Sequence, residues 1–472
     1  MMNPRFSLAA VTLVASSLLP ACGNSSASSD PLPQGSDAST EAEADGSADG
    51  GVDAAGDEVA PDASADSADE ADAAIEPDAA IEPDASPEAS DDAPQSPCWE
   101  TSIADDQPAF KARAAIAVGT DDVEQLAYDV ATSADRWDTP SVWHGKRQGS
   151  TWATGLAADA AGRSNEFPVI ALGAGNAPTI FYNRFDPASN EIDLFRVNAS
   201  AGAFDVPAAL TAASGADEYA PSVAVDGQGR MHLLFQVRAE VAGQPGTYTY
   251  SIGYLQIENG TASAVESVAT GTVMYSSSPD YDIVADSAGE VHVVYCRPAP
   301  TNDYYNVLWY RKRTAAGWAA EEQLSESTQD VWGPALAADG TGAIHLTYTK
   351  GADWSHKTLH YQSKKGGAWG TATALTTSID DRSYYLGLAA ATDGTVHIGF
   401  HRFVGNNGDM LYLRGKNGVF DPEERLTYTP DGDEQNAAMA IDTAGHPVMS
   451  YLENLSEAPH GKVYVAKRVC AP

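Results

Sequence analysis

The chain has 472 residues, 66 of them acidic against 27 basic, for a formal charge of −39. So negative a balance excludes a nucleic-acid binder, which needs a basic footprint, and a protein that grips anionic lipid through basic patches. Any anionic ligand must find a local cationic site against an acidic background.

Residues 1–21 carry one charge, Arg5, then an apolar run from Phe6 to Leu19 that is too short to span a bilayer as a helix. This is the pattern of a secretory signal. It closes on Leu19-Pro20-Ala21-Cys22, which resembles the lipobox of bacterial lipoproteins. The resemblance implies cleavage before Cys22, diacylation of its thiol and enough acyl chains for stable anchoring. Gly23, where an Asp would favour the inner membrane, directs the expectation to the outer membrane, on its periplasmic side or at the cell surface. Residues 22–97 hold 21 acidic side chains, no Lys, Arg or aromatic, and the internal repeat IEPDAAIEPDASPE. Such a segment cannot bury enough apolar surface to fold, so it reads as a disordered acidic linker behind a lipid anchor.

With the linker's acids and Arg5 set aside, residues 98–472 keep 45 acids and 26 bases. Along them one phrase returns: a short apolar strand, an Asp/Gly turn, and a second apolar strand ending in an aromatic. Clear copies are VAVDGQGRMHLLF ending at Phe235, IVADSAGEVHVVY at Tyr295, LAADGTGAIHLTY at Tyr348 and AAATDGTVHIGF at Phe400. Fainter copies end at Tyr128, Tyr182 and Tyr451. The intervals of 54, 53, 60, 53, 52 and 51 residues, with strand pattern and no helix pattern, predict an all-β fold, a seven-bladed β-propeller of four-stranded antiparallel blades.

The fifth copy gives a blade strand by strand. Pro334 to Ala338 is the innermost strand, and Asp339-Gly340 begins a tight turn with glycine supplying the positive φ. A second strand ends at Tyr348, a third covers Thr358 to Ser363, and Trp369 opens the outer strand. That outer aromatic recurs as Trp152, Phe204, Trp318 and Phe420, a stripe for blade-to-blade packing. The last copy, KVYVAKRVCAP, lacks an outer strand, and Pro97-Cys98-Trp99 supplies one, with Trp99 in the place of Trp369. Such a closure makes Cys98 and Cys470 neighbours and allows a disulfide, leaving Cys296 as a buried thiol.

Four copies place histidine at one point: His232, His292, His345 and His397. Equivalent points on neighbouring blades lie about 10 Å apart, whereas zinc ligands gather within about 2.1 Å of one ion. These histidines therefore share no metal and serve packing; no metal and no cofactor is expected. The loops between second and third strands, and between blades, are long, varied and aromatic, while the opposite turns are short and monotonous. The long-loop face is the expected binding face. Two positions past the repeat aromatic stand Arg184, Arg297, Lys350 and Arg402, with Arg238 one residue later. They read as an anion or carboxylate site, or as partners of the interblade acids Asp217, Asp280, Asp330, Asp381 and Asp433. The loops of blades four to six add Tyr304, Tyr305, Trp332, Trp354, His356, Arg382, Tyr384, Tyr385 and His401, aromatic planes beside polar groups as sugar rings require.

The repeat DGTGAIHLTYTKGADWSHKTLHYQSKKGGAWGTATALT resembles the blade repeats of exported bacterial propellers in the sialidase-like/BNR group, which includes sialidases, polysaccharide lyases and seven-bladed lectins. The turns DGQGRMH and DSAGEVH lack the Trp of the sialidase Asp box, and FKARAA stands where those enzymes carry Arg-Ile-Pro. The resemblance to propeller lyases implies Arg402 or Arg297 as carboxylate neutraliser, with His401 or Tyr385 as base and acid. Three functions stay open. One is a monomeric binding module that presents its loop face to a glycan or an envelope protein, without catalysis. The second is a glycan-cleaving lyase or sialidase-like glycosidase, and the third is an envelope scaffold without small ligand. The strong divergence among the loops favours one asymmetric site over repeated lectin sites.

Overall fold

A computed structural model describes residues 98–131, 140–159, 161–200, 202–212, 214–272, 280–299, 302–353, 356–377, 385–404, 407–428, 432–455 and 461–470. The signal and linker with Cys22, and the loop residues Trp354, Asp381, Arg382 and Tyr384, lie outside them, as does the side chain of Tyr304. Seven antiparallel sheets follow one another, each one repeat, as the sequence predicts. Blade one runs outward as Ala114–Val118, Glu124–Val130, Ser141–Gln148 and Thr151–Ala158. Blade five runs as Asp330–Ala338, Ile344–Asp353 and His356–Lys365, and its outer position is shared by Ala368–Trp369 and Thr373–Ala374. The second strand of each blade is pressed between neighbours on both faces; every residue of Glu124–Val130 is buried. All seven repeat aromatics, Tyr128 to Tyr451, are buried with it.

The strands are longer than the sequence pattern implies. The innermost strand of blade five continues back past Pro334 to Asp330 through a register shift between Trp332 and Ala335. The same shift falls between Glu166 and Val169, Tyr219 and Ser222, and Gln435 and Ala438. At each of these bulges one residue adopts left-handed backbone: Phe167 (φ 59°), Ala220 (46°), Gly333 (56°) and Asn436 (62°). At three of them the next residue is a proline, Pro168, Pro221 and Pro334, which cannot donate to the ladder, and the bulge carries the strand past it; after Asn436 the residue is Ala437. The turn glycines also differ from expectation. In blade five the positive φ (84°) belongs to Gly342. Gly340 instead lacks a side chain because a Cβ there would sit 2.6 Å from the Thr392 carbonyl of blade six.

Blade seven joins both ends of the folded sequence. Gly432–Ile441, Pro447–Leu455 and Gly461–Arg468 are completed on the outside by Trp99–Asp105, with Trp99 opposite Arg468. Cys98 and Cys470 are disulfide-bonded, and Cys296 is a buried free thiol. Between blades the aromatic stripe does what its periodicity implies. In blades three to six the histidine Nδ1 meets a third-strand tyrosine hydroxyl, as His345 does Tyr361 at 2.7 Å. The outer aromatic of the next blade then packs edge-on against that tyrosine: Trp318 on Tyr254, Trp369 on Tyr310, Phe420 on Tyr361 and Trp99 on Tyr412. Blade one keeps the geometry with other residues, since His144 bonds Gln125 at 3.0 Å and carries Phe204 on its ring.

Candidate functional site

Three of the cations picked out by the repeat, Arg297, Lys350 and Arg402, turn to acids beside outer-strand pieces, while Arg184 and Arg238 turn to the inner strands of their own blades. Arg297 pairs with Glu321, Lys350 with Glu326 at 2.9 Å, and Arg402 with both oxygens of Glu423 at 2.6 and 2.9 Å. Glu321 and Glu423 flank outer-strand pieces of the cation's own blade, whereas Glu326 lies on the connection from blade four to the blade five that carries Lys350. Of the interblade acids named in the sequence, Asp217 receives Arg238 Nε at 2.8 Å. Arg184 donates to Asn165 Oδ1 (2.8 Å) and Tyr182 Oη (2.9 Å) and lies over Phe195. Trp332 is buried, its indole N–H on Asp330, whose carboxylate also takes Lys357 Nζ at 2.6 Å. Burial lowers the pKa of Lys357 against the pull of Asp330. His401 is buried edge-on to Phe403, and burial holds its pKa down to about 4, so it is neutral. His356 is exposed at the start of its strand.

A different set is gathered at the axis. Matching each inner strand to its repeat aromatic through the ladder registers identifies one equivalent position per blade, where the chain enters the inner strand from the long-loop face. The occupants are Arg113, Phe167, Ala220, Asp280, Gly333, Tyr385 and Asn436. No two are the same residue. Around this ring the packing repeats and the chemistry does not.

The Arg113 guanidinium lies 3.3 Å above the Phe167 ring and 4.9 Å from that of Tyr385, which belongs to blade six. Arg113, Phe167, Tyr385, Asn436 and Pro221 line a cavity of about 130 Å³ to which blades one, two, three, six and seven contribute, as only the axis permits. Its backbone is pinned across the blades. Asp129 Oδ1 accepts the amides of Ala112 and Arg113, both at 2.9 Å, and Asn436 Nδ2 donates to the Ala112 carbonyl at 2.6 Å. Burial pushes Asp129 up to about 6, against those amides and Arg113. On the far side, Tyr281 Oη donates to the Ala220 carbonyl at 2.6 Å and receives the Gln236 amide at 3.0 Å. Asp280 Oδ1 takes the Gly333 amide at 3.4 Å, while its Oδ2 is buried with no partner; burial pushes its pKa up to about 7. Phe167 holds a conformation that bulky side chains rarely adopt, at a cost of about 1–3 kcal/mol, and bulges of this kind re-aim side chains beside binding sites.

Of the ring, the sequence reading had singled out Tyr385 for the site and Asp280 only as an interblade acid. Arg113 was in view in FKARAA but matches no sialidase motif, and Phe167 and Asn436 sit on bulges that repeat spacing does not reveal. An alignment anchored on the second-strand aromatic, counting back through the turn, is the signal that finds them.

No protein-family model matches the chain, and no curated protein matches its sequence. Among solved structures the fold is similar to a polysaccharide lyase, PL25 ulvan lyase, at 11% identity and a TM-score of 0.53 over 77% of this chain and 95% of that one. The same kind of lyase bound to -[GlcA(1-4)Rha3S]- gives 11% identity and a TM-score of 0.52 with the same coverages. The NanB sialidase of Streptococcus pneumoniae, as its K499G mutant, aligns over 79% of this chain and 71% of its own at 9% identity, with a TM-score of 0.43. In fold, the chain resembles these lyases.

Proposed function

We propose that the chain is an exported, lipid-anchored and monomeric propeller of the outer membrane that binds an acidic glycan at the axial mouth of its long-loop face. The observation that carries this is the Arg113 guanidinium between the rings of Phe167 and Tyr385, with the Asn436 amide on the same cavity. A guanidinium fork matches a carboxylate or sulfate, aromatic rings accept the CH face of a pyranose, and an amide serves its hydroxyls. Binding is favoured over cleavage because His401, implied with Tyr385 as base and acid, is buried, and both implied neutralisers, Arg402 and Arg297, are engaged by Glu423 and Glu321.

The test is a binding screen of the purified full chain against uronate, sialate and sulfated glycans, with -[GlcA(1-4)Rha3S]- oligomers as the first probe. Arg113→Ala is expected to lower affinity at least about tenfold, the weight of one bidentate charged contact, and Arg402→Ala to change it little. Silence of the wild-type chain across all acidic glycans overturns the reading and turns the search to envelope protein partners. Anchoring is tested separately: Cys22→Ser should release the chain from the membrane fraction.

A further inference from the structure

On the short-turn face, the turn aspartates of four blades each receive a histidine. In blade three Asp226 Oδ2 meets His232 Nε2 at 3.1 Å and also Arg230 Nε at 2.6 Å. In blade seven Asp442 Oδ2 meets His446 Nδ1 at 3.2 Å and Lys467 Nζ at 3.0 Å. There a cation of the chain completes the pair. In blade five Asp339 meets His345 at 3.1 Å, with Ala343 in the place of Arg230. Blade four reverses the charge: Asp286 Oδ2 meets His292 Nε2 at 3.2 Å, and the residue in the place of Arg230 is Glu290. Ligand atoms of Asp286, Glu290 and His292 all lie within 4.8 Å of one another.

We propose that Asp286, Glu290 and His292 hold a divalent transition-metal ion of the zinc class on the short-turn face of blade four. One imidazole nitrogen and two carboxylate oxygens form a donor set that suits such an ion, with a coordination position left for water. The far side of the imidazole is already fixed: His292 Nδ1 meets the Tyr310 hydroxyl at 2.7 Å, the outer-shell bond that orients a metal-binding histidine. Glu290 is oriented likewise, by Lys312 Nζ on its Oε2 at 2.8 Å. Of the three, Glu290 lines a cavity of about 600 Å³ between blades three and four, whose walls also include Arg230, His232, Gln256 and Arg313. Comparing histidines across blades led to the expectation of no metal. Here all three ligands come from one turn and the strand behind it, and only this copy of the repeat carries the third.

The experiment uses the full chain, stripped with chelator and titrated with Co²⁺ and Zn²⁺ under calorimetry, with Co²⁺ also followed by its visible absorbance. One equivalent of Co²⁺ is expected to bind with a low-symmetry d–d band, and Zn²⁺ to raise the unfolding temperature. Glu290→Gln, a change at a partly exposed side chain, should weaken binding at least about tenfold and leave the metal-free unfolding temperature unmoved. A wild-type chain without stoichiometric Co²⁺, or a Glu290→Gln variant that binds as the wild type does, overturns the proposal.

Discussion

Blade six carries the repeat histidine without its aspartate, and that defect can be repaired. His397 Nδ1 meets Tyr412 Oη at 2.6 Å, but its Nε2 is buried without a partner. Ala391 stands six residues before it, where Asp226, Asp286 and Asp339 meet their histidines at 3.1, 3.2 and 3.1 Å. The turn closes through the same backbone bond, with the Thr395 amide taken by Asp393 Oδ1 at 2.9 Å. Ala391 and Thr395 are bonded N to O at 2.7 Å, as Asp339 and Ala343 are at 3.0 Å. Room is available too, because Gly445 of blade seven faces Ala391 as Gly394 of blade six faces the Asp339 carboxylate. In Ala391→Asp the new carboxylate would accept from His397. Hydrogen bonds to a charged group contribute about 1.5–3 kcal/mol, and desolvating the aspartate leaves a net gain of about 1–2 kcal/mol. At about 2.1 cal/mol/K of unfolding entropy per residue, a propeller of this size gains about 1–3 °C. The His397 pKa, now about 4 through burial and then the charges of Arg414 and Arg468, should rise. Calorimetry at fixed scan rate and urea midpoints measure the first effect, and an NMR titration of labelled histidine the second. An unfolding temperature that stays level or falls, with His397 still titrating near its present value, would falsify the idea that these pairs stabilise the blades.

Opening the Cys98–Cys470 bridge by Cys98→Ser with Cys470→Ser should destabilise the ring by about 3–5 kcal/mol, since the sequence separation is 372 residues and long loops gain most from closure. Equal urea midpoints for the variant and for the oxidised parent would sink that expectation. Asp280→Asn probes the axial acid through pH. The native Asp280 keeps its proton up to about 7, while an unfolded aspartate releases it near its ordinary value of about 3.9. Wild-type stability from this group therefore falls as pH rises from about 4 to 7. The advantage of Asp280→Asn over the parent should grow across that window and level off above it; a flat difference from acid to neutral pH would refute the assignment.

The architecture was legible because a propeller is written in repeats. The second-strand aromatics, the outer Trp/Phe stripe and the unpaired last blade each state a packing requirement at a fixed interval, and Trp99 and Cys98 fall where the missing strand must be. The site was less legible for two physical reasons. A bulge inserts a residue that no period-two pattern registers, so nothing in the repeat marks Phe167 or Asn436. Charge spacing alone also does not say which way a long side chain turns. Arg297 and Arg402 share a repeat position at the loop face, yet both lean along their own blades to Glu321 and Glu423. Arg113 occupies no repeated cation position, and its place on the axis emerges only when the blades are aligned to one another.

The strand Trp99–Asp105 is the first part of the propeller to be synthesised and the last that can be placed, because its ladder partner ends at Arg468. Contacts so distant in sequence make ring closure a late step, dominated by loop entropy, after neighbouring blades have assembled pair by pair. The same seam acts on the way out. An open stack of repeats loses structure by fraying from its ends, one unit at a time. A closed ring whose two termini hold each other has no end to fray, so unfolding must begin by parting two buried blade faces at once. The barrier to unfolding is then set by a whole blade interface rather than by a terminal strand.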